Sequence, residues 1–291
     1  MKQQDILLRF VFQDYGIRGE WVRLLESWQT AKSNHLYPLW VQEQLGQMVA
    51  AANLLSATIK FEGSLILQAQ GEGPLHAMVA QCTETQEFRG WARYSENPPH
   101  SNLLKDMFGE GQLILTIRSD APEPYQGIVP LQGRQLSDAL ETYFTQSEQL
   151  PTRIWLFANS THAAGFFLQE LPDQKNVQDD DWERITMLAN TITEEEMLNL
   201  PAHEMLHRLF HEEQVKLFEP QPCQFKCNCS TEKIESTLFA MQQEALQKIL
   251  QEQGEIVVDC EFCGKQYCFS RSDLEKIGLA SKSGQSSSVI H

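Results

Sequence analysis

The C-terminal part of the sequence contains two short cysteine motifs, QFKCNCSTEK at residues 224–233 and GEIVVDCEFCGKQYCF at residues 254–269. Cys227 and Cys229 form a C-x-C pair, and Cys260 and Cys263 form a C-x-x-C pair. Each pair offers two sulfurs from one tight turn, and the thirty residues between the pairs let the chain fold back and bring them together. Four soft thiolates in a tetrahedron satisfy a zinc ion completely. The sequence therefore predicts one zinc ion per chain, bound by these four cysteines.

The residues after the second pair fit a metal-binding turn. Gly264 directly follows Cys263, and a turn that aims backbone amides at sulfur often needs a residue without Cβ. Tyr267 and Phe269 alternate with polar or small residues. This alternation predicts a short strand that packs over the metal.

A four-cysteine site has two roles that the residues leave open. In the first role, zinc substitutes for a hydrophobic core that is too small to fold alone. In the second, clustered thiolates in a reducing cell act as a redox switch. The C-x-C pair favours the second role, because it is rarer than C-x-x-C in purely structural sites. Each close pair can also form a local disulfide once zinc leaves.

The composition indicates a chain of more than one domain whose main partner is not nucleic acid. The chain has 291 residues, 42% of them hydrophobic, and a formal net charge of −16. So acidic a surface repels phosphates and favours solubility. The sequence has no apolar run long enough to span a bilayer, and its start lacks the layout of a signal peptide. We therefore expect a cytoplasmic protein with no membrane partner, whose seven cysteines are reduced.

Residues 1–175 predict an α+β core domain, mainly antiparallel sheet with packed helices. Strands are indicated at 5–12 and 20–25, and short strands punctuated by glycine follow. A second helix is indicated at about 135–148. The strongest helix signal is a set of apolar residues at steps of four and three, which predicts one apolar face: Val41, Leu45, Met48, Ala52, Leu55 and Ile59.

Residues 176–222 predict a helical linker of marginal stability. Trp182, Ile185, Leu188 and Ile192 form a narrow apolar stripe after a run of aspartates. Isolated helices of this length are marginal in water. We therefore expect the linker to fold by docking on a neighbour.

The linker also contains a literal H-E-x-x-H pattern at His203, Glu204 and His207. On a helix, this pattern places two zinc ligands and a general base on one face. It begins almost at the helix N-terminus, just after Pro201, and His211 follows at the wrong spacing for the longer three-histidine pattern. We therefore interpret it as a chance match, and keep a zinc hydrolase as the alternative function.

The remaining C-terminal residues predict a small zinc module at 223–279 and a serine-rich, disordered tail at 280–291. Three cysteines lie outside the two pairs. Cys82 is expected to be a small buried residue in the core. Cys223 and Cys268 lie close enough in sequence to exchange with a ligand or to join a wrong disulfide, although a small apolar role is the simpler reading for both. No serine, histidine and acid form a recognisable nucleophile arrangement.

The cysteine motifs FKCNCS and CEFCGKQYCF resemble the C-terminal zinc module of the redox-regulated heat-shock holdase chaperones, also called the thirty-three-kilodalton chaperonins. The resemblance covers nearly the full chain, since further stretches also match the family: IRGE at 17–20, KFEGSLILQAQGEGP at 60–74, YQGIVPL at 125–131 and YFTQSEQLPTR at 143–153. H-E-x-x-H is no part of the family pattern.

The resemblance implies an ATP-independent holdase of the bacterial cytoplasm that binds unfolding client proteins under oxidative stress and is not an enzyme. Such a protein is inactive when reduced and zinc-bound. Oxidation to Cys227–Cys229 and Cys260–Cys263 disulfides releases zinc and unfolds the linker, and the oxidised form is a homodimer. A constitutive adaptor with structural zinc is a further alternative.

The client-binding surface follows from the same picture. If the linker unfolds, its apolar stripe becomes exposed. Trp182, Ile185 and Leu188 are therefore candidate client contacts.

Overall fold

The computed structural model describes residues 5–13, 15–58, 62–172, 179–241 and 243–276. The chain divides into two compact units, Met1–Lys226 and Cys227–His291. The described part of the predicted linker, 179–222, belongs to the first unit. The predicted tail at 280–291 lies outside the described residues, as does Ile59 of the predicted helix. Within the described ranges, no helix is both long and apolar enough to cross a membrane.

The strands, in chain order, are β1 Ile6–Phe12, β2 Ile17–Leu24, β3 Ser64–Gly71, β4 Leu75–Thr83, β5 Glu87–Tyr94, β6 Gly111–Arg118, β7 Tyr125–Pro130, β8 Thr152–Ala158, β9 Ala163–Glu170, β10 Val215–Leu217, β11 Gln221–Pro222, β12 Gln224–Phe225, β13 Glu255–Asp259 and β14 Gln266–Ser270. The helices are α1 Glu26–Lys32, α2 Leu39–Thr58, α3 Leu104–Phe108, α4 Leu136–Tyr143, α5 Asp179–Ala189, α6 Glu194–Asn199, α7 Ala202–Phe210, α8 Thr231–Phe239, α9 Gln243–Gln253 and α10 Arg271–Lys276. A π-helical turn, Phe144–Glu148, continues α4, so the predicted helix at about 135–148 is confirmed.

Two six-stranded sheets build the first unit. Sheet A has the order β10-β1-β2-β9-β8, with β11 also pairing with β1, and sheet B has the order β12-β5-β4-β3-β6-β7. The pairings are antiparallel apart from the short parallel pair of β12 with β5. The predicted α+β class with a mainly antiparallel core is confirmed.

Helix α2 packs between the two sheets, because it contacts β2, β8 and β9 of sheet A and β3, β4 and β5 of sheet B. Fourteen of its twenty residues are buried, including the five described members of the predicted apolar face. The prediction that these residues face a core is confirmed, and burial extends to further faces of the helix because both sheets cover it. Small residues permit this close packing: a Cβ on Gly46 would lie 2.6 Å from the Cβ of Ala158.

Helices α5, α6 and α7 pack on the other face of sheet A. The buried side chains that these helices and the α5–α6 connection contribute to the contact are Ile185, Ala189, Ile192, Met197, Leu198, Ala202, Met205, Leu206 and Phe210. The sheet contributes every second residue of three neighbouring strands: Leu8, Phe10 and Phe12; Ile17 and Trp21; Ala164, Phe166 and Leu168. This alternation places all eight on one face. Thr193 and Glu196 form the capping box that opens α6.

The second unit is a small module of helices α8, α9 and α10 with the β13–β14 hairpin. The hairpin register pairs Ile256 with Phe269 and Val258 with Tyr267. Among the described residues of the module, eight buried side chains form its core: Leu238, Leu246, Leu250, Ile256, Cys260, Tyr267, Phe269 and Leu274. A core of this size supplies little folding free energy without a further constraint.

Candidate metal centre

The structure brings the four paired cysteines of the second unit into one cluster. Their sulfur atoms all lie within 4.8 Å of one another. The Sγ atoms of Cys227 and Cys260 are 3.7 Å apart, and those of Cys229 and Cys263 are 3.5 Å apart. Across the described ranges of the chain, this is the one group of three or more histidine, cysteine or acidic residues placed so that it could hold a metal ion.

The spacing of the sulfurs fits a tetrahedral metal site. Sulfurs that each lie about 2.3 Å from a central zinc ion are about 3.8 Å from one another along the edges of the tetrahedron. The two sulfur–sulfur distances, 3.5 and 3.7 Å, are close to this value. A disulfide would require about 2.05 Å. The arrangement is therefore that of four separate thiols around a common centre.

The C-x-C turn is fixed by the start of helix α8. The backbone amide of Cys229 donates to the sulfur of Cys227. The next residue, Ser230, caps α8 by accepting a hydrogen bond from the Lys233 amide at 3.4 Å. Lys233 Nζ in turn donates to the carbonyl oxygen of Asn228 at 2.7 Å. These contacts hold both sulfurs on one side of the turn.

The C-x-x-C turn closes through two backbone hydrogen bonds. The amide of Gly264 donates to the carbonyl oxygen of Cys260 at 2.8 Å, and the amide of Cys260 donates to that of Lys265 at 2.9 Å. Gly264 has φ +67°, a conformation that costs a residue with Cβ about 1–2 kcal/mol. The Lys265 amide also donates to the Cys263 sulfur. The prediction that this glycine forms a turn aiming amides at sulfur is confirmed.

The thiols of the cluster differ in acidity. Burial raises the pKa of Cys229, but hydrogen bonds from the Tyr267 hydroxyl, 3.1 Å away, and from the other thiols outweigh burial and lower this pKa to about 7. Burial and the neighbouring thiols raise the pKa of Cys227, and raise that of Cys263 to about 12. Metal binding requires thiolates, so it would release the protons that the cluster retains.

Tyr267 is a member of the site whose polar role the sequence does not reveal. The alternation of residues predicts that its ring packs over the metal, and the ring is indeed buried in the module core. The hydroxyl contact to Cys229 depends on the register of the β13–β14 hairpin. Lys265 Nζ lies 4.9 Å from the centre of the same ring, a cation–π contact that helps to hold the ring in place.

The other three cysteines lie outside the cluster. Cys82 and Cys223 are buried in the core of the first unit, where both thiols approach Gln86 Oε1, at 3.7 and 3.9 Å. Burial raises the pKa of both thiols, that of Cys82 to about 12. Cys268 lies on β14 with an exposed side chain. The prediction that Cys82 is a small buried residue is confirmed, and Cys223 takes the same role.

The three candidate client contacts lie in the docked interface of α5 with sheet A. Ile185 is fully buried, and Trp182 and Leu188 are partly buried against the same cluster. In this structure the surface they would offer to a client is covered by sheet A. The sequence predicts that the stripe is apolar, and the structure shows that it packs against sheet A.

The H-E-x-x-H residues form no part of the metal centre. His203, Glu204 and His207 lie on the exposed face of α7, whereas Met205 and Leu206 face the buried cluster. His203 is the second residue of this nine-residue helix. The pattern therefore presents its polar residues to solvent.

Fold and site together define a class of protein: a two-sheet α+β unit with docked helices, followed by a small module built around four thiols. The family model described as "Hsp33 protein" matches residues 5–270. The chain therefore belongs to the Hsp33 family, and it is a chaperone of that family.

Relatives and a solved structure agree with this assignment. The chain is 53% identical to a 33 kDa chaperonin of Nitrosococcus oceani over 277 residues, covering 95% of each. It is 43% identical to a 33 kDa chaperonin of Shewanella frigidimarina over 282 residues, covering 97% of this chain and 98% of the relative. The crystal structure of the 33 kDa chaperonin of Thermotoga maritima has the same fold, with a TM-score of 0.79 at 23% identity, covering 94% of this chain and 98% of that chain.

Proposed function

We propose that this chaperone is an ATP-independent holdase of the cytoplasm, regulated by oxidation of its four clustered thiols. In the reduced state Cys227, Cys229, Cys260 and Cys263 hold one zinc ion and the protein is inactive. In the oxidised state it binds unfolding proteins. The observation that carries the proposal is the set of four sulfurs within 4.8 Å of one another, in a module whose buried core, among the residues described, is as small as eight side chains.

Zinc is the metal that this donor set fits best. Four thiolates select a soft or borderline ion in tetrahedral geometry, whereas calcium and magnesium require oxygen ligands. A structural zinc site contributes on the order of 10 kcal/mol to the folding of a small module. The module would therefore depend on its thiolates for stability.

Oxidation converts the four thiol ligands to two disulfides in two steps. In each step, a pair of thiols and one molecule of hydrogen peroxide give one disulfide and two molecules of water. Both electrons come from the sulfurs, and both oxygens of the peroxide leave as water. Two such steps consume all four ligands, so the coordination that stabilises the module is lost.

We propose that the disulfides form within the close pairs, Cys227–Cys229 and Cys260–Cys263. All four sulfurs lie within 4.8 Å in the folded module, so the cross pairs are also within reach at the first step. Once the module opens, a partner two or three residues away in the chain is reached at lower entropic cost than one more than thirty residues away. Mass spectrometry of peptides from the oxidised, alkylated protein distinguishes these pairings.

Loss of the module would release the linker. Helices α5, α6 and α7 and strands β10, β11 and β12 lie between the core and Cys227 in the chain. The helices are short and depend on the buried contact with sheet A for their stability. Their release exposes two apolar surfaces, the helix stripe that includes Trp182, Ile185 and Leu188, and the sheet face that includes Phe10 and Trp21. These surfaces would bind clients, and a second oxidised chain to form the homodimer.

The test is light scattering of a thermally unfolding substrate protein in the presence of this chain. The reduced, zinc-loaded protein should leave aggregation unchanged, and the peroxide-treated protein should suppress it without ATP. Zinc released per chain and the mass of the native complex are measured on the same samples, with one zinc and a dimer expected. Equal suppression in both states would instead identify a constitutive adaptor with structural zinc, and would refute the redox proposal.

A further inference from the structure

Three histidines recur at every fourth residue along helix α7 and its C-terminal cap: His203, His207 and His211. The helical backbone continues through His211, whose φ and ψ are −64° and −20°. Residues four apart lie on one face of a helix, one turn above another. All three side chains are exposed, and they line one surface cavity of about 200 Å³.

We propose that His207 and His211 together bind a divalent transition-metal ion of the kind that imidazole prefers, such as Zn²⁺ or Ni²⁺. Their ring centroids are 6.1 Å apart and their planes are inclined by 68°. Two imidazoles that bind one ion through nitrogens about 2.0–2.1 Å from it have centroids about 5 Å apart. A small rotation of either exposed side chain closes this gap, with water completing the coordination.

The proposed pair is not the pair of the H-E-x-x-H pattern. That pattern uses His203 and His207 with Glu204 as the base. His203 lies two turns from His211, about 12 Å along the axis, so the two cannot share an ion. The residue after His207 is Arg208, which leaves no carboxylate in the position of the base. The proposed pair therefore lacks the general base that the H-E-x-x-H pattern provides.

The surroundings of His211 favour a cation. The carboxylate of Glu212 lies 4.0 Å from His211 Nε2. Glu213 lines the cavity too, but its carboxylate is paired with Arg184, so Glu212 is the carboxylate that favours the ion. The cavity floor includes the buried side chains of Leu206 and Phe210, which anchor this helix face against sheet A.

A metal at this pair would stabilise the docked linker, because the two nitrogens converge only while α7 is helical. By linkage, opening of the helix becomes rarer by a factor of one plus the ratio of free metal to Kd, about 100-fold at 100 Kd. If release of the linker activates the chaperone, as proposed above, this metal opposes activation. The metal site itself does not depend on that proposal.

Calorimetric titration of the reduced, zinc-loaded protein with Ni²⁺ tests the site. Ni²⁺ is the probe because Cu²⁺ would oxidise the thiols. The wild type should bind one Ni²⁺ per chain, and His207→Ala and His211→Ala should each weaken binding about tenfold or more, since even outer-shell changes weaken metal sites by about 10–100-fold. The matched control His203→Ala, on the same exposed face, should change affinity less than about twofold.

Hydrogen exchange of residues 202–211 gives a second readout. Ni²⁺ should slow exchange in the wild type and in His203→Ala, but not in His211→Ala. Exchange of β3 without Ni²⁺ verifies that each variant is folded. Equal Ni²⁺ binding by the wild type, His207→Ala and His211→Ala would overturn the proposal. Loss of binding in His203→Ala but not in His211→Ala would also overturn it, and would assign the ion to the H-E-x-x-H pair.

Discussion

Replacing Ile185 with alanine should open the linker while the metal centre remains intact. Ile185 is fully buried on α5, in the contact between the linker helices and sheet A. Truncation of a buried isoleucine to alanine costs about 2–5 kcal/mol, and the better helix propensity of alanine returns a few tenths of a kcal/mol. We expect a net loss of about 2–4 kcal/mol in the free energy of linker docking. Because 1.4 kcal/mol is a factor of ten, the open population should rise about 30- to 1000-fold.

Met187 provides the matched control on the same helix. It is 70% exposed, so Met187→Ala removes a side chain of similar size without loss of buried contacts and should change stability by less than about 0.5 kcal/mol. Hydrogen exchange is measured on both reduced, zinc-loaded variants over residues 179–217, with the β3 amides as a reference for the core. Ile185→Ala should accelerate exchange in the linker alone.

Light scattering connects this perturbation to function. Reduced Ile185→Ala should suppress aggregation of an unfolding substrate in part, with one zinc ion still bound, whereas Met187→Ala should not. If hydrogen exchange shows that Ile185→Ala opens the linker but aggregation of the substrate is unchanged, exposure of the stripe does not activate the chaperone. If its linker exchanges no faster than that of Met187→Ala, α5 is not held by this contact.

Three further predictions concern the sites themselves. Cys227→Ser should reduce zinc well below one per chain in a colorimetric release assay, while Cys223→Ser should keep one; a loss in the latter would mean that the ligands are misassigned. Gly264→Ala and Gly254→Ala both place a Cβ at positive φ, +67° and +83°, at about 1–2 kcal/mol each. Of the two, Gly264 alone lies in the C-x-x-C turn, so only Gly264→Ala should speed the loss of zinc to a chelator. Equal rates of zinc loss from the two variants would contradict the role of that turn. Glu204→Gln should leave chaperone activity and zinc content unchanged. A peptidase activity of the wild type that disappears with this substitution would instead support the alternative function, a zinc hydrolase.

The sequence specifies the cluster of four thiols almost completely, because the information that places them is local. Each pair of cysteines lies on one turn, and the geometry of a turn depends on a few neighbouring residues such as Ser230 and Gly264. To bring the two pairs together, the chain between them has to fold back only once. The hydroxyl contact of Tyr267 with Cys229 is not local, since it depends on the hairpin register. The pairing of the disulfides stays a prediction, because all four sulfurs are mutually within reach.

The residues by themselves determined the α+β class, the four clustered thiols and the apolar stripe of the linker, since periodicity and spacing are properties of the chain. Only the tertiary structure decided what covers each apolar surface. It showed that α2 is enclosed by two sheets, that Ile185 packs against sheet A, and that Cys223 belongs to the core of the first unit rather than to the thiol cluster. The physical reason is that burial depends on partners that are distant in sequence. A hydrophobic pattern predicts that a surface is buried, but it does not predict which other element buries it.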